Sequence, residues 1–206
     1  MNNIIQRIAV AKHIVVIADM NPNAGSLGSA SAMYTYILQQ HKKVSFFCAA
    51  PQLNKKFSFL PWFTKIRTSF PNSADLVITL ECSSLERIGA DIECDIVNID
   101  HNKCNTKFGK INLLDSKAIS TAEIVYNFFK RNDILINTKM ATSLYSGILD
   151  DSRGFLSSKV NENTFSISKD LLKCKADVST CNTFIMKYQS LAGLRLKAIM
   201  LSKMKL

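Results

Sequence analysis

The stretch Val97-Asn98-Ile99-Asp100-His101-Asn102-Lys103-Cys104-Asn105-Thr106 carries the most informative local pattern in this chain of 206 residues. A largely apolar run ends at Ile99, and an adjacent aspartate and histidine, Asp100 and His101, follow it into a polar turn. Such a run is typical of a strand buried on both faces of a parallel sheet. Because ligands collect outside the carboxyl ends of these strands, carboxylate and imidazole at this position predict metal or phosphate chemistry.

Acidic residues also follow other predicted elements of the chain. Asp19 comes shortly after an apolar run at 14–17, and Glu81 comes directly after the run at 76–80. Asp150 and Asp151 form a predicted turn after a helix over 137–149. Another helix is predicted near 29–40 and another strand at 44–48. The alternation of strands and helices predicts an α/β fold with a mostly parallel sheet flanked by helices.

The composition is that of a globular, core-forming protein. Hydrophobic residues make up 47% of the chain and charged residues 20%, which excludes an intrinsically disordered protein. The net charge of +10 favours contact with polyanions. The dispersed lysines are equally typical of a surface that serves only solubility.

The six cysteines occur without any Cys-x-x-Cys pair. This spacing argues against a structural zinc or redox protein and suits reduced core residues. The chain contains neither a credible signal peptide nor an uninterrupted apolar run of about 18 residues. We therefore expect a cytoplasmic protein that has no membrane partner.

An irregular segment at 54–71 mixes aromatic and basic residues. One interpretation is that the rings stack on bases while the cations hold phosphates. The other is that the rings pack under the edge of the sheet, which is the more common role of such rings. The order of residues does not separate the two interpretations.

Several separated segments resemble the DHH phosphoesterase family, within it the branch of nanoRNases and phosphoadenosine-phosphate phosphatases. The resemblance runs from about Ile14 to the C-terminus. It lies in Asn21-Pro22, Leu27-Gly28-Ser29, Leu85-Glu86-Arg87-Ile88-Gly89, Asn98-Ile99-Asp100-His101, Asn105-Thr106, Phe108-Gly109, Ser120-Thr121-Ala122-Glu123 and Gly147-Ile148. It implies a DHH domain over 1–187. It also implies that 188–206 is a connector helix, with the second, DHHA1-type domain absent.

The resemblance also implies where the ligands of two Mn²⁺ ions should stand, and this chain departs from the pattern. The first motif's histidine and two aspartates are matched by Asp19, Asn23 and Gly25. The aspartate of the second motif is matched by Glu81. The third motif keeps Asp100 and His101 but has Asn102 in place of its second histidine, and the fourth motif keeps its aspartate as Asp151.

These departures lead us to expect one weak Mn²⁺ site or none, where the family has two. The predicted metal ligands are Asp19, Glu81, His101 and Asp151, the predicted catalytic residues are Asp100, His101 and Asn102, and the predicted substrate contacts are Ser152 and Arg153. The resemblance implies hydrolysis of short oligonucleotides or phosphoadenosine phosphate, and the departures from the motif lead us to expect that this activity is impaired or lost. The alternative is an inactive module that binds a nucleotide or a protein. A partner chain supplying the second domain and a homodimer are further expectations.

Overall fold

The computed structural model describes residues 3–204 and contains a six-stranded sheet. The strands are β1 (His13–Ala18), β2 (Lys43–Phe47), β3 (Ile66–Arg67), β4 (Leu76–Leu80), β5 (Asp95–Asp100) and β6 (Ile111–Leu114). The helices are α1 (Asn3–Val10), α2 (Ala24–Gln39), α3 (Thr121–Arg131), α4 (Thr138–Asp151), α5 (Glu162–Lys173), α6 (Val178–Cys181) and α7 (Leu191–Ser202). A π-helix at Asn182–Lys187 continues α6.

The strand order is β3-β2-β1-β4-β5-β6, and every neighbouring pair is parallel. The chain therefore builds the sheet outward from β1 to β3 and then returns to add β4, β5 and β6 on the other side. The order reverses between β1 and β4, which is the place where open parallel sheets bind their ligands. The predicted α/β fold with a parallel sheet is confirmed.

Alternate residues of the strands pack on opposite faces of the sheet. Val16 and Ile78 belong to the large core beneath α2, α3 and α4, while Val15 and Val77 belong to a smaller core on the other face. All four are completely buried. Burial on both faces explains why these strands read as continuous apolar runs.

Two helix boundaries differ from the sequence prediction. Helix α2 begins at Ala24 rather than near Ser29, because Asn23 caps it: the Asn23 Oδ1 accepts a hydrogen bond from the Ser26 amide at 2.8 Å. Helix α4 continues through Asp150 and Asp151, which were predicted to form a turn. Both acids are therefore held rigidly at a helix end.

Helices α2 and α4 pack unusually closely. A Cβ atom at Gly28 would lie 2.3 Å from the carbonyl oxygen of Ser143, and a Cβ atom at Gly147 would lie 3.3 Å from the Cα of Gly25. Side chains at these glycines would force the helices apart. Their absence lets the first turn of α2 meet the last turn of α4 at the carboxyl edge of the sheet.

The aromatic rings of the segment at 54–71 are largely used for packing. Phe57 is buried, Trp62 contacts Tyr34 at a centroid distance of 5.6 Å, and Phe70 meets Phe47 edge-on at 5.4 Å. Packing of the rings at the sheet edge thus describes most of this segment.

Helix α7 lies inside the predicted connector, 188–206, and all of its residues are exposed. Within the described part of the chain, no helix is both long enough and apolar enough to cross a membrane. The division of the chain at residue 187 stays a prediction.

Tyr126 links α3 to α5, because its hydroxyl donates to Asp170 Oδ2 at 2.9 Å. This hydrogen bond is the first cause of a lowered pKa at Asp170. A group whose folded-state pKa is lowered stabilises the fold above its unfolded pKa, about 3.9, and loses that contribution as the pH falls through the folded value. We expect Tyr126→Phe to lower the free energy of unfolding by about 0.5–1 kcal/mol at pH 7. This is less than is typical of a hydrogen bond to a charged group, because Asp170 is partly exposed to solvent. Urea unfolding at pH 7 and pH 3 would measure this cost; an equal cost at both pH values would contradict the assignment.

Candidate metal centre

Glu81, His101 and Asp151 converge at the carboxyl edge of the sheet, and one potential ligand atom of each lies within 4.8 Å of the others. Glu81 follows β4 directly, His101 follows the neighbouring strand β5, and Asp151 ends α4. All three are partly shielded from solvent. Two carboxylates and an imidazole are a suitable donor set for a divalent ion such as Mn²⁺.

The backbone of Glu81 is in the left-handed region, with φ at 66°. A residue with a β-carbon pays roughly 1–2 kcal/mol for this conformation. The amide of Glu81 still donates to the carbonyl oxygen of Ile99 at 3.0 Å, so β4 remains attached to β5 at this point. The sharp turn aims the carboxylate toward α2 and α4, and such strain commonly marks functional sites.

Two carboxylate oxygens in the cluster, Glu81 Oε2 and Asp151 Oδ2, are buried without a hydrogen-bond partner. Both face Gly25: a Cβ atom there would lie 2.5 Å from Asp151 Oδ2 and 2.7 Å from Glu81 Oε2. Buried carboxylate oxygens that lack a partner are costly unless a cation compensates their charge. The residues present therefore fit a bound metal ion, which would supply that compensation.

His101 is oriented by contacts at both ring nitrogens. Its Nδ1 lies 3.4 Å from the carbonyl oxygen of Ala118, and its Nε2 lies 3.5 Å from Glu81 Oε1. A proton on Nδ1 would hold the ring on Ala118 and leave Nε2 directed at the cluster, which is the arrangement of a metal-binding histidine. Burial alone lowers the pKa of His101, but the hydrogen bond and charge of Glu81 outweigh it, so that this pKa is raised.

The pKa of Asp151 is also raised by its surroundings. Burial, followed by the nearby charge of Glu81, raises the pKa of Asp151 to about 7. Two close carboxylates resist being ionised together. The raised pKa of Asp151 thus reports the repulsion between the two carboxylates, which a bound cation would relieve.

Asn23 lies between the two carboxylates and contributes through its amide nitrogen. Its Nδ2 is 3.2 Å from Glu81 Oε1 and 3.4 Å from Asp151 Oδ1, while its Oδ1 is used to cap α2. The sequence places Asn23 where the family has an aspartate ligand, and this role of its amide nitrogen was not predicted. An amide that donates to both acids holds them together but leaves no amide oxygen for a metal.

Asp19 lies outside the cluster of three, although it was predicted as a metal ligand. Its buried carboxylate binds the Arg87 side chain through two hydrogen bonds, 2.7 Å from Nε and 2.5 Å from Nη2. A third hydrogen bond comes from the amide of Asn21 at 2.7 Å. Arg87 already neutralises this carboxylate. Its partnership with Asp19 was not predicted.

Asp100 and Asn102 shape the turn that carries His101. Asp100 is completely buried and accepts hydrogen bonds from Asn105 Nδ2 at 2.7 Å and from the Asn102 amide at 3.1 Å. The Asn102 Oδ1 accepts from the Cys104 amide at 2.9 Å. Both side chains, predicted as catalytic, are therefore engaged in local structure.

The two predicted substrate contacts are placed differently. Ser152 is completely buried at the end of α4. Its hydroxyl donates a hydrogen bond to the carbonyl oxygen of Leu149 and accepts one from the amide of Phe155. Arg153 lines an open cleft of about 530 Å³ together with His101, Asp151 and Lys159. Lys159 was not singled out from the sequence. The cleft thus combines members of the acid–imidazole cluster with two cations that suit a phosphate group.

Comparison with known proteins agrees with this architecture. Residues 13–148 match the DHH family, N-terminal domain. The chain is 28% identical over 184 residues to the probable bifunctional oligoribonuclease and PAP phosphatase NrnA of Streptococcus mutans, a match that covers 84% of this chain and 56% of the relative. It is 23% identical over 167 residues to the bifunctional oligoribonuclease and PAP phosphatase NrnA of Thermus thermophilus, covering 80% and 51%. The chain therefore spans about half the length of the curated relatives it matches.

Solved structures give the same fold. The crystal structure of an exopolyphosphatase-related protein from Bacteroides fragilis has a TM-score of 0.90 and 22% identity, over 98% of this chain and 64% of that protein. That of a family II inorganic pyrophosphatase from Methanococcus jannaschii, described as putative, has a TM-score of 0.64 and 19% identity, over 85% and 59%. At these identities the likeness concerns the fold.

Proposed function

The chain belongs to the DHH family, and from this premise we propose that it is a phosphoesterase module with one Mn²⁺ ion held by Glu81, His101 and Asp151. The proposed substrate is the phosphate ester of a short oligonucleotide or of phosphoadenosine phosphate, as in the names of the relatives. The observation that carries the proposal is the convergence of three donors around two buried carboxylate oxygens that have no partner.

One ion, rather than two, is proposed from the charges. The cluster offers two carboxylates and one imidazole. The carboxylate of Asp19 is bound to Arg87, the Asn23 oxygen caps α2, and Gly25 has no side chain. Two divalent ions would need more anionic ligands than this set provides, because paired ions repel each other strongly at the separation of about 3.5–4 Å used in two-metal sites.

In the proposed mechanism, the acid–imidazole cluster holds the metal ion, and the cations of the cleft bind the phosphate group. A bound metal ion would act as a Lewis acid toward a phosphate oxygen. Arg153 and Lys159 would bind the remaining phosphate oxygens, since charge-assisted hydrogen bonds to phosphate are strong. Asp100 and Asn102 are assigned positioning roles, because they hold the turn from which His101 projects. Activity is expected to be lower than that of a two-metal enzyme.

The test is hydrolysis of a fluorescently labelled RNA dinucleotide in the presence of Mn²⁺. We expect turnover that stops on addition of EDTA and falls at least 100-fold in His101→Ala, because that variant removes a ligand. Lys117→Ala, an exposed lysine outside the cleft, is the control and should leave turnover unchanged. Turnover that survives both EDTA and His101→Ala would contradict the proposal.

A second candidate is an inactive nucleotide-binding module. The Asn23 amide favours it, because its hydrogen bonds to both acids stabilise the cluster without a metal. Under this alternative the folded protein would bind phosphoadenosine phosphate through Arg153 and Lys159 and would not hydrolyse it. Binding that is weakened by Arg153→Ala, in a sample without turnover, would favour this second function.

A further inference from the structure

A second cleft, of about 770 Å³, lies beside the outer edge of β2. Strand β3 pairs with β2 only at Phe46 and Phe47, so within residues 3–204 the edge at 43–45 has no strand partner. His13 and Lys43 line this cleft and stand at the starts of β1 and β2. The cleft thus includes the amino ends of these parallel strands, whereas the metal centre lies after the carboxyl ends of β4 and β5.

The charge of this cleft is one-sided. Lys43, Lys65 and Arg67 line it, all three are exposed, and no aspartate or glutamate is among its lining residues. In the described part of the chain, none of the three cations forms an ion pair. Uncompensated cations grouped in a cleft create a positive potential that attracts polyanions.

Hydroxyl groups and aromatic rings also line the cleft; of the rings of Tyr34, Phe46 and Phe70, only that of Phe70 is partly exposed. The ring of His13 is buried between two serine hydroxyls. Its Nε2 lies 2.9 Å from Ser45 Oγ in β2, and its Nδ1 lies 3.5 Å from Ser73 Oγ in the segment before β4. The ring of Phe70 lines the cleft and is half-buried, supported edge-on by Phe47. Bases of single-stranded nucleic acids stack on accessible aromatic rings that lie beside cations, and the partly exposed ring of Phe70 is placed in this way.

We infer that this cleft binds the phosphodiester backbone of a single-stranded oligonucleotide, with phosphates on Lys43, Lys65 and Arg67 and a base on Phe70. Arg67 pairs with Phe47, four residues after Lys43 in β2. At about 3.3 Å per residue, Lys43 and Arg67 are therefore about 13 Å apart along the strand direction, which suits successive phosphates better than a single one. The segment at 54–71 thereby has both predicted roles: most of its rings pack, and two of its cations face the ligand. This binding does not depend on the metal centre.

The experiment is fluorescence anisotropy with fluorescein-labelled hexaadenylate RNA in EDTA, which prevents metal-dependent cleavage. We expect Lys65→Ala/Arg67→Ala to weaken binding at least 10-fold. The slope of the logarithm of the association constant against the logarithm of the salt concentration should become shallower, from about −2 for three phosphate contacts to roughly −0.7 for one. Both side chains are exposed, so the variant should keep the melting temperature of the unchanged protein.

Lys117→Ala/Lys169→Ala is the matched control, because it removes the same charge from exposed positions outside the cleft. It should change the affinity less than threefold. An equal loss in both double variants would show unspecific attraction and overturn the inference. Displacement of the RNA by an equimolar amount of inorganic tripolyphosphate would also overturn it, because the cleft would then select free polyphosphate over a nucleic-acid strand.

Discussion

Glu81→Gln is expected to lower the affinity for Mn²⁺ by at least 100-fold. Loss of outer groups that only orient a ligand already costs about 10–100-fold, and Glu81 is proposed as a direct ligand. Glutamine keeps the size of the side chain and loses its charge, so repulsion from Asp151 disappears. The variant without metal should therefore be at least as stable as the unchanged protein. Calorimetric titration with Mn²⁺, combined with thermal unfolding in EDTA, measures both quantities.

Asn23→Asp is the reciprocal variant: it should raise the affinity for Mn²⁺ and lower the stability of the protein without metal. Aspartate caps a helix as well as asparagine does, so α2 should begin at the same residue. A third carboxylate would replace an amide that now donates to Glu81 and Asp151. We expect tighter Mn²⁺ binding and lower stability in EDTA. An Asn23→Asp protein with unchanged Mn²⁺ affinity would contradict the placement of the ion between these acids.

Gly28→Val is expected to destabilise the protein by about 3 kcal/mol or more. Its first side-chain atom would lie 2.3 Å from the Ser143 carbonyl oxygen, and a backbone atom cannot turn away as a side chain can. Overpacking of a close contact typically costs about 1–3 kcal/mol, and the two further methyl groups of valine raise that cost. For a chain of this size, such a loss corresponds to a melting temperature lower by roughly 6–12 °C. Differential scanning fluorimetry in EDTA measures it.

Gly193→Ala provides the control for the general effect of filling a helical glycine. Gly193 lies in the exposed helix α7, where the contact of a new Cβ is the Ser190 hydroxyl at 3.1 Å. A serine side chain can shift, so the effect should stay within about 1 kcal/mol, with the higher helix propensity of alanine favouring stability. Equal melting temperatures for Gly28→Val and Gly193→Ala would contradict the close packing of α2 against α4.

The fold could be predicted largely from local patterns. The strand at 76–80 coincides with β4, and the run at 14–17 lies within β1, because burial on both faces requires continuous apolar residues. Helix starts were harder to place. The start of α2 depends on a hydrogen bond from the Ser26 amide to Asn23, in a stretch whose small polar residues also suit a loop.

The candidate site could be predicted only in part, because its charged groups are paired with residues that are far apart from them in the chain. Asp19 is neutralised by Arg87, which lies 68 residues later, and no local pattern shows this pair. Asn23 and Asp151 are 128 residues apart, so the donation from amide to carboxylate is visible only in the folded chain. Glu81 and His101 could be found because each directly follows a strand, and neighbouring parallel strands end at the same edge.

The central claim is a single metal ion at Glu81, His101 and Asp151, and calorimetric titration of the unchanged protein with Mn²⁺ tests it most directly. We expect saturable binding of one ion per chain that is lost in His101→Ala, while the circular dichroism spectrum of that variant stays the same. Binding of two ions, or binding that survives in His101→Ala, would contradict the site described here. Absence of binding in a cooperatively folded sample would contradict it equally.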